Sequence, residues 1–178
     1  MKVLAFSTSN SRSSINKTMV NYLANLIPGA SIKLSSVNDY ILPIYDPELE
    51  KENGVLQPAK DFYNDIEAAD LIIIGYAEHN GNYTAAFKNL LDWTSRINMG
   101  LFQQKPTIML AATPGQGGAK SVLNIAQNSS AFFKNDIRSV ISIPDFYNTF
   151  DLKTNQCTSA ELEAKLLNAV DAITAVTE

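Results

Sequence analysis

Short runs of consecutive apolar residues alternate along this chain with segments whose apolar residues recur every three or four positions. The first pattern predicts buried strands and the second amphipathic helices. The run Lys2 to Phe6 predicts a strand. A polar stretch, Ser7 to Ser13, follows, and then Ile15, Met19, Tyr22, Leu23 and Leu26 line one face of a helix. Ser13 or Ser14 is placed to cap that helix, and Pro28-Gly29 to end it. Ser31 to Ser35 predicts a second strand. Residues 36 to 57 contain Pro43, Pro47, Gly54 and an acidic stretch from Glu48 to Glu52, follow neither pattern, and read as a long surface loop. A helix over Gln57 to Ala68 leads into a third strand, Asp70 to Tyr76, apolar at consecutive positions as a strand buried on both faces of a parallel sheet should be.

A polar loop, Ala77 to Tyr83, precedes a helix from about Thr84 to Ile97. Thr107 to Ala112 predicts a fourth strand. The loop Thr113 to Gly118 opens a helix with Val122, Leu123 and Ala126 on one face, and Ser139 to Ile143 predicts a fifth strand. Thr158-Ser159-Ala160-Glu161 has the form of a capping box for a last helix, faced by Leu162, Leu166, Ala169 or Val170, and Ile173. Strands joined through helices run parallel, with right-handed crossovers. The expected fold is therefore an α/β three-layer sandwich on one five-stranded parallel sheet, with residues 1–178 as a single domain. Open sheets of this kind bind ligands at the carboxyl ends of their strands, where strand order reverses. That directs attention to the loops after the first, third and fourth strands.

Composition narrows the chemistry. One cysteine, Cys157, and one histidine, His79, exclude an internal disulfide framework and the common Cys and Cys/His zinc sites, so no metal site is expected. A net charge of −4 argues against a nucleic-acid partner. The apolar start, Val3 to Phe6, is too short for an export signal, and no run approaches the roughly 18 residues that span a bilayer. A cytoplasmic protein with no membrane partner is expected.

The loop after the first strand reads Ser7-Thr8-Ser9-Asn10-Ser11-Arg12-Ser13-Ser14-Ile15-Asn16, and six of these ten residues are Ser or Thr. It enters a helix N-terminus, where free backbone N–H groups and the helix dipole favour an anion. Hydroxyls add donors, and Arg12 adds a charged fork. No Gly-x-Gly-x-x-Gly and no Gly-Lys-Ser/Thr follows that strand, which argues against a dinucleotide pyrophosphate and a Walker-type triphosphate site. A terminal monophosphate is the guest that fits. A serine-rich turn with a helix cap is the plain alternative.

The stretch Glu78-His79-Asn80 and, further on, Lys88-Asn89-Leu90-Leu91-Asp92-Trp93-Thr94-Ser95-Arg96 resembles the NADPH-dependent FMN reductases. Their pattern runs Pro-Glu-Tyr-Asn, a short turn, then Leu-Lys-Asn-x-x-Asp-Trp-x-Ser-Arg, and Glu78, Asn80, Lys88, Asn89, Asp92, Trp93, Ser95 and Arg96 match it. Ser9, Ser14 and Asn16 fall on the two serines and the asparagine of the family's first loop. Thr113, Pro114, Gly115, Gly117 and Gly118 resemble its Ser-Pro-Gly-x-x-Gly-Gly, the last two glycines one position early. The chain departs from the pattern at Ser11, where the family has arginine and Arg12 stands one place on, at Ala77 for proline, at His79 for tyrosine, and at Lys120, near which the family has arginine. The resemblance covers residues 1 to 143 in order.

The resemblance implies a flavodoxin-like fold with strand order 2-1-3-4-5 and FMN as cofactor. The phosphate would lie on Ser9, Ser11, Arg12, Ser14, Ile15 and Asn16, with the ribityl chain and ring near Ala77, Glu78, His79, Asn80 and Gly81. Thr113, Pro114, Gly115, Gln116, Gly117 and Gly118 would face the pyrimidine end of the ring. It implies hydride transfer from NADPH or NADH to the flavin, then electron transfer to flavin, a quinone or another small acceptor, with no catalytic side chain required. It also implies a homodimer or homotetramer with Lys88, Asp92 and Arg96 near the interface; read without it, these three make intrahelical ion pairs. Two other readings of the fold stay open: a flavodoxin-like electron carrier without NAD(P)H oxidation of its own, and a flavin-free binding domain.

Overall fold

The computed structural model describes residues 1–174. Its parallel sheet is built from β1 (Lys2–Ser7), β2 (Ser31–Ser36), β3 (Leu71–Gly75), β6 (Pro106–Ala112) and β7 (Asp136–Ile143), in the spatial order β2-β1-β3-β6-β7. In order of appearance among the five this is 2-1-3-4-5, as expected. The short strands β4 (Glu78–His79) and β5 (Asn82–Tyr83) form an antiparallel hairpin outside it. β3 is central, and all five of its residues are buried. Alternation of side chains across the pleat divides each inner strand between two cores. Val3, Ala5, Leu71, Ile73, Ile108 and Leu110 face one side, against α1 (Ile15–Asn25) and α7 (Ala160–Thr174). Leu4, Phe6, Ile72, Ile74, Met109 and Ala111 face the other, against α3 (Gln57–Ala68), α4 (Ala85–Thr94) and α5 (Lys120–Asn128). This is the three-layer arrangement the alternation of elements required.

Ser14 caps α1, its side chain accepting from Lys17 N–H. α1 stops at Asn25, short of Pro28-Gly29. It lies so close to β3 that a Cβ on Gly75 would meet Val20 Cγ1 at 2.7 Å and the Asn16 carbonyl oxygen at 2.9 Å. Only glycine lets the helix N-terminus sit at that height over the sheet.

The structure corrects four sequence expectations. Residues 36 to 57 are not a loop throughout: Val37–Asp39 forms a 3₁₀ turn and Pro47–Asn53 forms α2. Every end signal of a short helix is present there: Asp46 as N-cap, Pro47 in the first turn, Glu48 and Glu50 at the positive end, Lys51 in the last turn, and Gly54 at φ 69°. The stretch Ala77 to Tyr83 is largely a hairpin rather than a loop, because Asn80 and Gly81 have φ 52° and 74°, the positive values a two-residue primed turn demands. α4 ends at Thr94 rather than Ile97, and Thr84 is its cap rather than its first residue. The last helix is capped by Ser159, whose Oγ accepts from Leu162 N–H, while Thr158 donates to Asn148 O and Glu161 pairs with Lys165. The short elements α6 (Phe146–Thr149), β8 (Phe150–Asp151) and β9 (Gln156–Cys157) lead from β7 into α7.

Candidate functional site

Strand order reverses between β1 and β3, so the chain leaves their carboxyl ends in opposite directions and opens a crevice there. Three segments border it: residues 8–14 after β1, residues 76–84 after β3, and residues 113–119 after β6. The first two are joined by threonines. Thr8 N–H donates to Gly75 O at 2.9 Å, and Ala77 N–H donates to Thr8 Oγ1 at 2.9 Å. Thr84 Oγ1 donates to Thr8 O at 2.7 Å while accepting from Phe87 N–H as the cap of α4. Thr8 and Thr84 are both buried. Neither stood out in the sequence, although Thr84 has the ordinary signature of an N-cap.

The first segment folds on its own hydroxyls. Ser9 N–H donates to Ser7 Oγ, Ser11 N–H donates to Ser9 Oγ, and Ser7 and Ser14 hydroxyls lie 3.3 Å apart. This turns the loop over the N-terminus of α1. The amides of Asn10, Arg12, Ser13, Ile15 and Asn16 have no protein acceptor among the described residues. The first turn of α1 carries no acidic side chain, and Arg12 is exposed with no ion pair among the described residues. A set of unengaged N–H groups at a helix N-terminus, with hydroxyls and a guanidinium at its rim, suits a phosphate dianion. Ser9 and Ser14 are buried, whereas Ser11 is exposed, with its hydroxyl 3.5 Å from that of Ser13. Ile15 packs against the core beneath the loop. The Asn16 side chain is spent on the scaffold: Oδ1 accepts from Ala112 N–H at 2.8 Å and Nδ2 donates to Ala112 O at 3.2 Å.

On the second segment, Ala77 is buried, and His79, Asn80 and Gly81 form the exposed tip of the hairpin. The Glu78 carboxylate turns away from that tip and accepts from Val122 N–H at 2.9 Å. Beneath the hairpin, Tyr76 stacks on Tyr83 with ring centroids 5.9 Å apart, and the Tyr83 hydroxyl meets Ser129 Oγ at 3.2 Å. Burial raises the pKa of both phenols, so both remain protonated at neutral pH.

The third segment is held from β7. Thr113 N–H donates to Ile143 O, Phe146 N–H to Thr113 O, and Asp145 N–H to Gly115 O. Gly115 N–H donates to Thr113 Oγ1 at 3.3 Å. Ser142 Oγ donates to Gly118 O at 2.7 Å, and a Cβ on Gly118, which has φ 65°, would lie 2.1 Å from Ser142 Oγ. Pro114, Gly115, Gln116 and Gly117 are exposed, and the amides of Gln116 and Gly117 have no protein acceptor among the described residues. Two adjacent free N–H groups on a glycine-lined rim suit the polar edge of a flat heterocycle. The loop after β7, including Asp145 at φ 47°, belongs to this rim and was not legible in the sequence.

The residues of the matched helix motif are placed elsewhere. Asn89 Nδ2 and Trp93 Nε1 both donate to Pro43 O at 2.9 Å, and Tyr45 N–H donates to Asn89 Oδ1 at 2.8 Å. Arg96 pairs with Glu50, which also accepts from the Tyr45 hydroxyl. Lys88 pairs with Asp92 along the helix, as periodicity allowed; Arg96 does not pair with Asp92. The motif thus straps residues 42–50 onto α4. Among the described residues, no group of His, Cys, Asp and Glu is arranged to hold a metal ion, and no helix is long and apolar enough to cross a membrane.

Comparison with known proteins gives the family and the fold. The family model described as NADPH-dependent FMN reductase matches residues 1–147. A probable NADPH:quinone oxidoreductase from Oryza sativa is 31% identical over 102 residues, 57% of this chain and 50% of that protein. An NAD(P)H-dependent FMN reductase from Pseudomonas aeruginosa is 30% identical over 119 residues, 66% of this chain and 63% of that protein. The chain thus spans between half and two thirds of these relatives' lengths. Among solved structures, FerB, a flavoenzyme NAD(P)H:(acceptor) oxidoreductase from Paracoccus denitrificans, superposes with a TM-score of 0.79 at 21% identity, covering 98% of this chain and 95% of that one. At that identity the likeness concerns the fold, which is flavodoxin-like.

Proposed function

The chain belongs to the NADPH-dependent FMN reductase family, and from that premise we propose that it is an NAD(P)H-dependent flavin oxidoreductase acting on a small electron acceptor. The observation that carries this reading is the pair of polar rims at one crevice: free amides over the N-terminus of α1, and free amides at Gln116 and Gly117. The first rim has the chemistry for a monophosphate, and the second for the pyrimidine edge of a flavin. FMN carries both groups. Bound there, it would supply two-electron chemistry, from NADPH or NADH as co-substrate to a quinone, free flavin or similar acceptor.

The chain's own contribution is positioning. Ser9, Ser14, Arg12 and the amides of Ile15 and Asn16 hold the phosphate; Ser11 contributes its hydroxyl at the rim. Ala77, His79, Asn80 and Gly81 border the ring, and Thr113 to Gly118 donate N–H groups to its polar edge, where they favour developing negative charge. No side chain at the crevice is required to move a proton for hydride transfer. The rest of the reading is a single FMN-binding domain, cytoplasmic, without nucleic-acid or membrane partners, and assembled as a homodimer or homotetramer. Ile44, 86% exposed on the strap that α4 holds, and Ile41, 77% exposed just before it, support an assembly that covers them.

The test is a visible spectrum of the purified protein with FMN, before and after anaerobic NADPH or NADH. Bound flavin that bleaches within seconds supports a reductase. Bound flavin that persists with both nucleotides favours an electron carrier. No binding overturns the reading. Light scattering tests the assembly, and a monomer counts against it.

A further inference from the structure

We propose that Glu78 is a positioning residue that locks the hairpin β4–β5 to the first turn of α5, so that the two sides of the flavin crevice form one rigid rim. The inference rests on the flavin reading above and concerns how this chain builds that site. Glu78 is the one acidic side chain of the hairpin, yet it does not face the crevice: Oε2 accepts from Val122 N–H at 2.9 Å.

Helix α5 has an unusual start. Its N-cap, Ala119, sits at φ 50° and ψ 39° and has no side chain able to accept from the first-turn amides. Its first turn carries no acidic residue. A helix N-terminus with a partial positive charge and orphan N–H groups needs an acceptor. Glu78 supplies it from 44 positions away, a capping bond made across the fold instead of within the helix. The same approach brings the Gly81 turn to ordinary van der Waals distance of α5, where a Cβ would lie 3.9 Å from Ser121 Cβ. At its other end α5 meets the hairpin again through Tyr83 and Ser129.

The consequence lies in the loop between. Gly117 and Gly118 have little steric restraint of their own, and Gly118 is fixed from β7 by Ser142. Glu78 fixes the following turn from the opposite side. The free amides of Gln116 and Gly117 lie between Gly115, whose carbonyl accepts from Asp145 N–H, and Gly118, and Glu78 holds the helix that follows in register with the tip His79-Asn80-Gly81. A charge-assisted bond at a helix N-terminus is among the stronger hydrogen bonds a protein makes. Glutamine at this position keeps an oxygen acceptor; alanine keeps none.

The experiment compares wild type with E78A, E78Q and Y83F. It reads amide hydrogen exchange by NMR in the protein without flavin, and FMN affinity by quenching of flavin fluorescence. In E78A, exchange at Val122 and at the bonded rim amides of Thr113 and Gly115 is expected to rise at least tenfold, and FMN affinity to fall tenfold or more. E78Q is expected to restore both to within a few-fold. Y83F removes the bond at the far end of α5; it lowers overall stability and leaves FMN affinity within twofold. Unchanged exchange in E78A overturns the proposal. Raised exchange with unchanged FMN affinity overturns it too, because the bond would then serve α5 alone. Wild-type protein that takes up no FMN overturns the functional reading before any variant is compared, and takes this proposal with it.

Discussion

Asn16 and Ala112 exchange a pair of hydrogen bonds across 96 positions of sequence, Oδ1 accepting from the amide and Nδ2 donating to the carbonyl. The reason lies in the sheet. The β3–β6 ladder pairs last at Gly75 with Leu110, and Tyr76 N–H takes the Leu110 carbonyl as the chain leaves. Ala112 is buried and extends beyond that point: it pairs with Ile143 of β7 on one edge, and on the β3 edge no strand residue is left to meet its amide and carbonyl. The side-chain amide of Asn16 acts as the missing stretch of strand and ties α1 to β6.

Replacing Asn16 with alanine leaves both Ala112 groups unpaired in a buried place. The expected cost is about 2–4 kcal/mol, from two lost bonds and their desolvation. N16D keeps the acceptor for the amide and sets a carboxylate oxygen against the Ala112 carbonyl. Its new carboxyl protonates more readily in the fold than in the unfolded chain. The N16D deficit is therefore largest at neutral pH and shrinks as pH falls through the raised folded-state value. Urea unfolding of the two variants at pH 7 and pH 5 checks the sign; an N16D deficit that grows in acid contradicts it.

Gly75 is a second joint between the same elements. In G75A the new methyl meets Val20 Cγ1 and the Asn16 carbonyl, at 2.7 Å and 2.9 Å before relaxation. The expected loss is about 1–3 kcal/mol, as for other overpacked cores. Trimming Val20 removes only the first clash, since the Asn16 oxygen belongs to the backbone of α1. The double variant V20A/G75A is expected to remain less stable than V20A alone. Equal stability in denaturant would show that α1 shifts freely over the sheet, and would weaken the case for a rigid phosphate rim.

Arg12 tests the phosphate end. It stands one place beyond the family's arginine position, on the exposed part of a loop whose fold depends on Ser7, Ser9 and Ser14. R12A is expected to fold normally, because no side-chain hydrogen bond or ion pair of Arg12 holds the loop among the described residues. Its affinity for FMN should fall about tenfold while its affinity for riboflavin, which lacks the phosphate, stays within twofold. The salt dependence of FMN binding should weaken in parallel. Equal losses for FMN and riboflavin would place the guanidinium at the ring instead.

The parallel sheet and the three rim loops were legible because they follow from apolar runs, helix periods and the parallel-crossover rule; the strand order came from the family resemblance. What was not legible depends on contacts between distant parts of the chain. Asn16 reads as a cofactor ligand until Ala112 is seen beside it, and Glu78 reads as a ring contact until α5 arrives without a cap of its own. The Asn80-Gly81 turn was a different case. Its dipeptide carries the hairpin signal, but two-residue strands on either side are too short to show a period. Likewise α2 carries its start and stop residues with no buried residue between them, so an argument from apolar spacing passes over it.

Trp93 reports on that last region, because its indole N–H donates to Pro43 O and its ring meets Tyr45 edge-on at 5.1 Å. The end of the strap is an ionic joint: the Tyr45 hydroxyl donates to Glu50 Oε2 at 2.7 Å, and Arg96 Nε reaches both Glu50 oxygens at 3.0 and 2.9 Å. The Tyr45 hydroxyl first and the Arg96 guanidinium second hold the Glu50 carboxyl below the usual glutamate value. A folded-state pKa below the unfolded one gives stabilisation that is complete above the unfolded value, about 4.3, and lost as pH falls through the folded one. Acid is therefore expected to loosen the 42–50 strap from α4 below about pH 4, in a step seen by the chain's single tryptophan. Far-UV circular dichroism should still report intact helices through that step. Because the joint is partly exposed, high salt should weaken it wherever Glu50 is ionised. In E50Q the Tyr45 hydroxyl keeps an acceptor and Arg96 loses its ion pair, so the acid step in Trp93 fluorescence should disappear while the neutral-pH spectrum stays close to wild type. An unchanged acid step in E50Q would assign the transition to other carboxylates, such as Asp70, whose pKa is lowered chiefly by the Lys2 amide at the opposite end of the sheet.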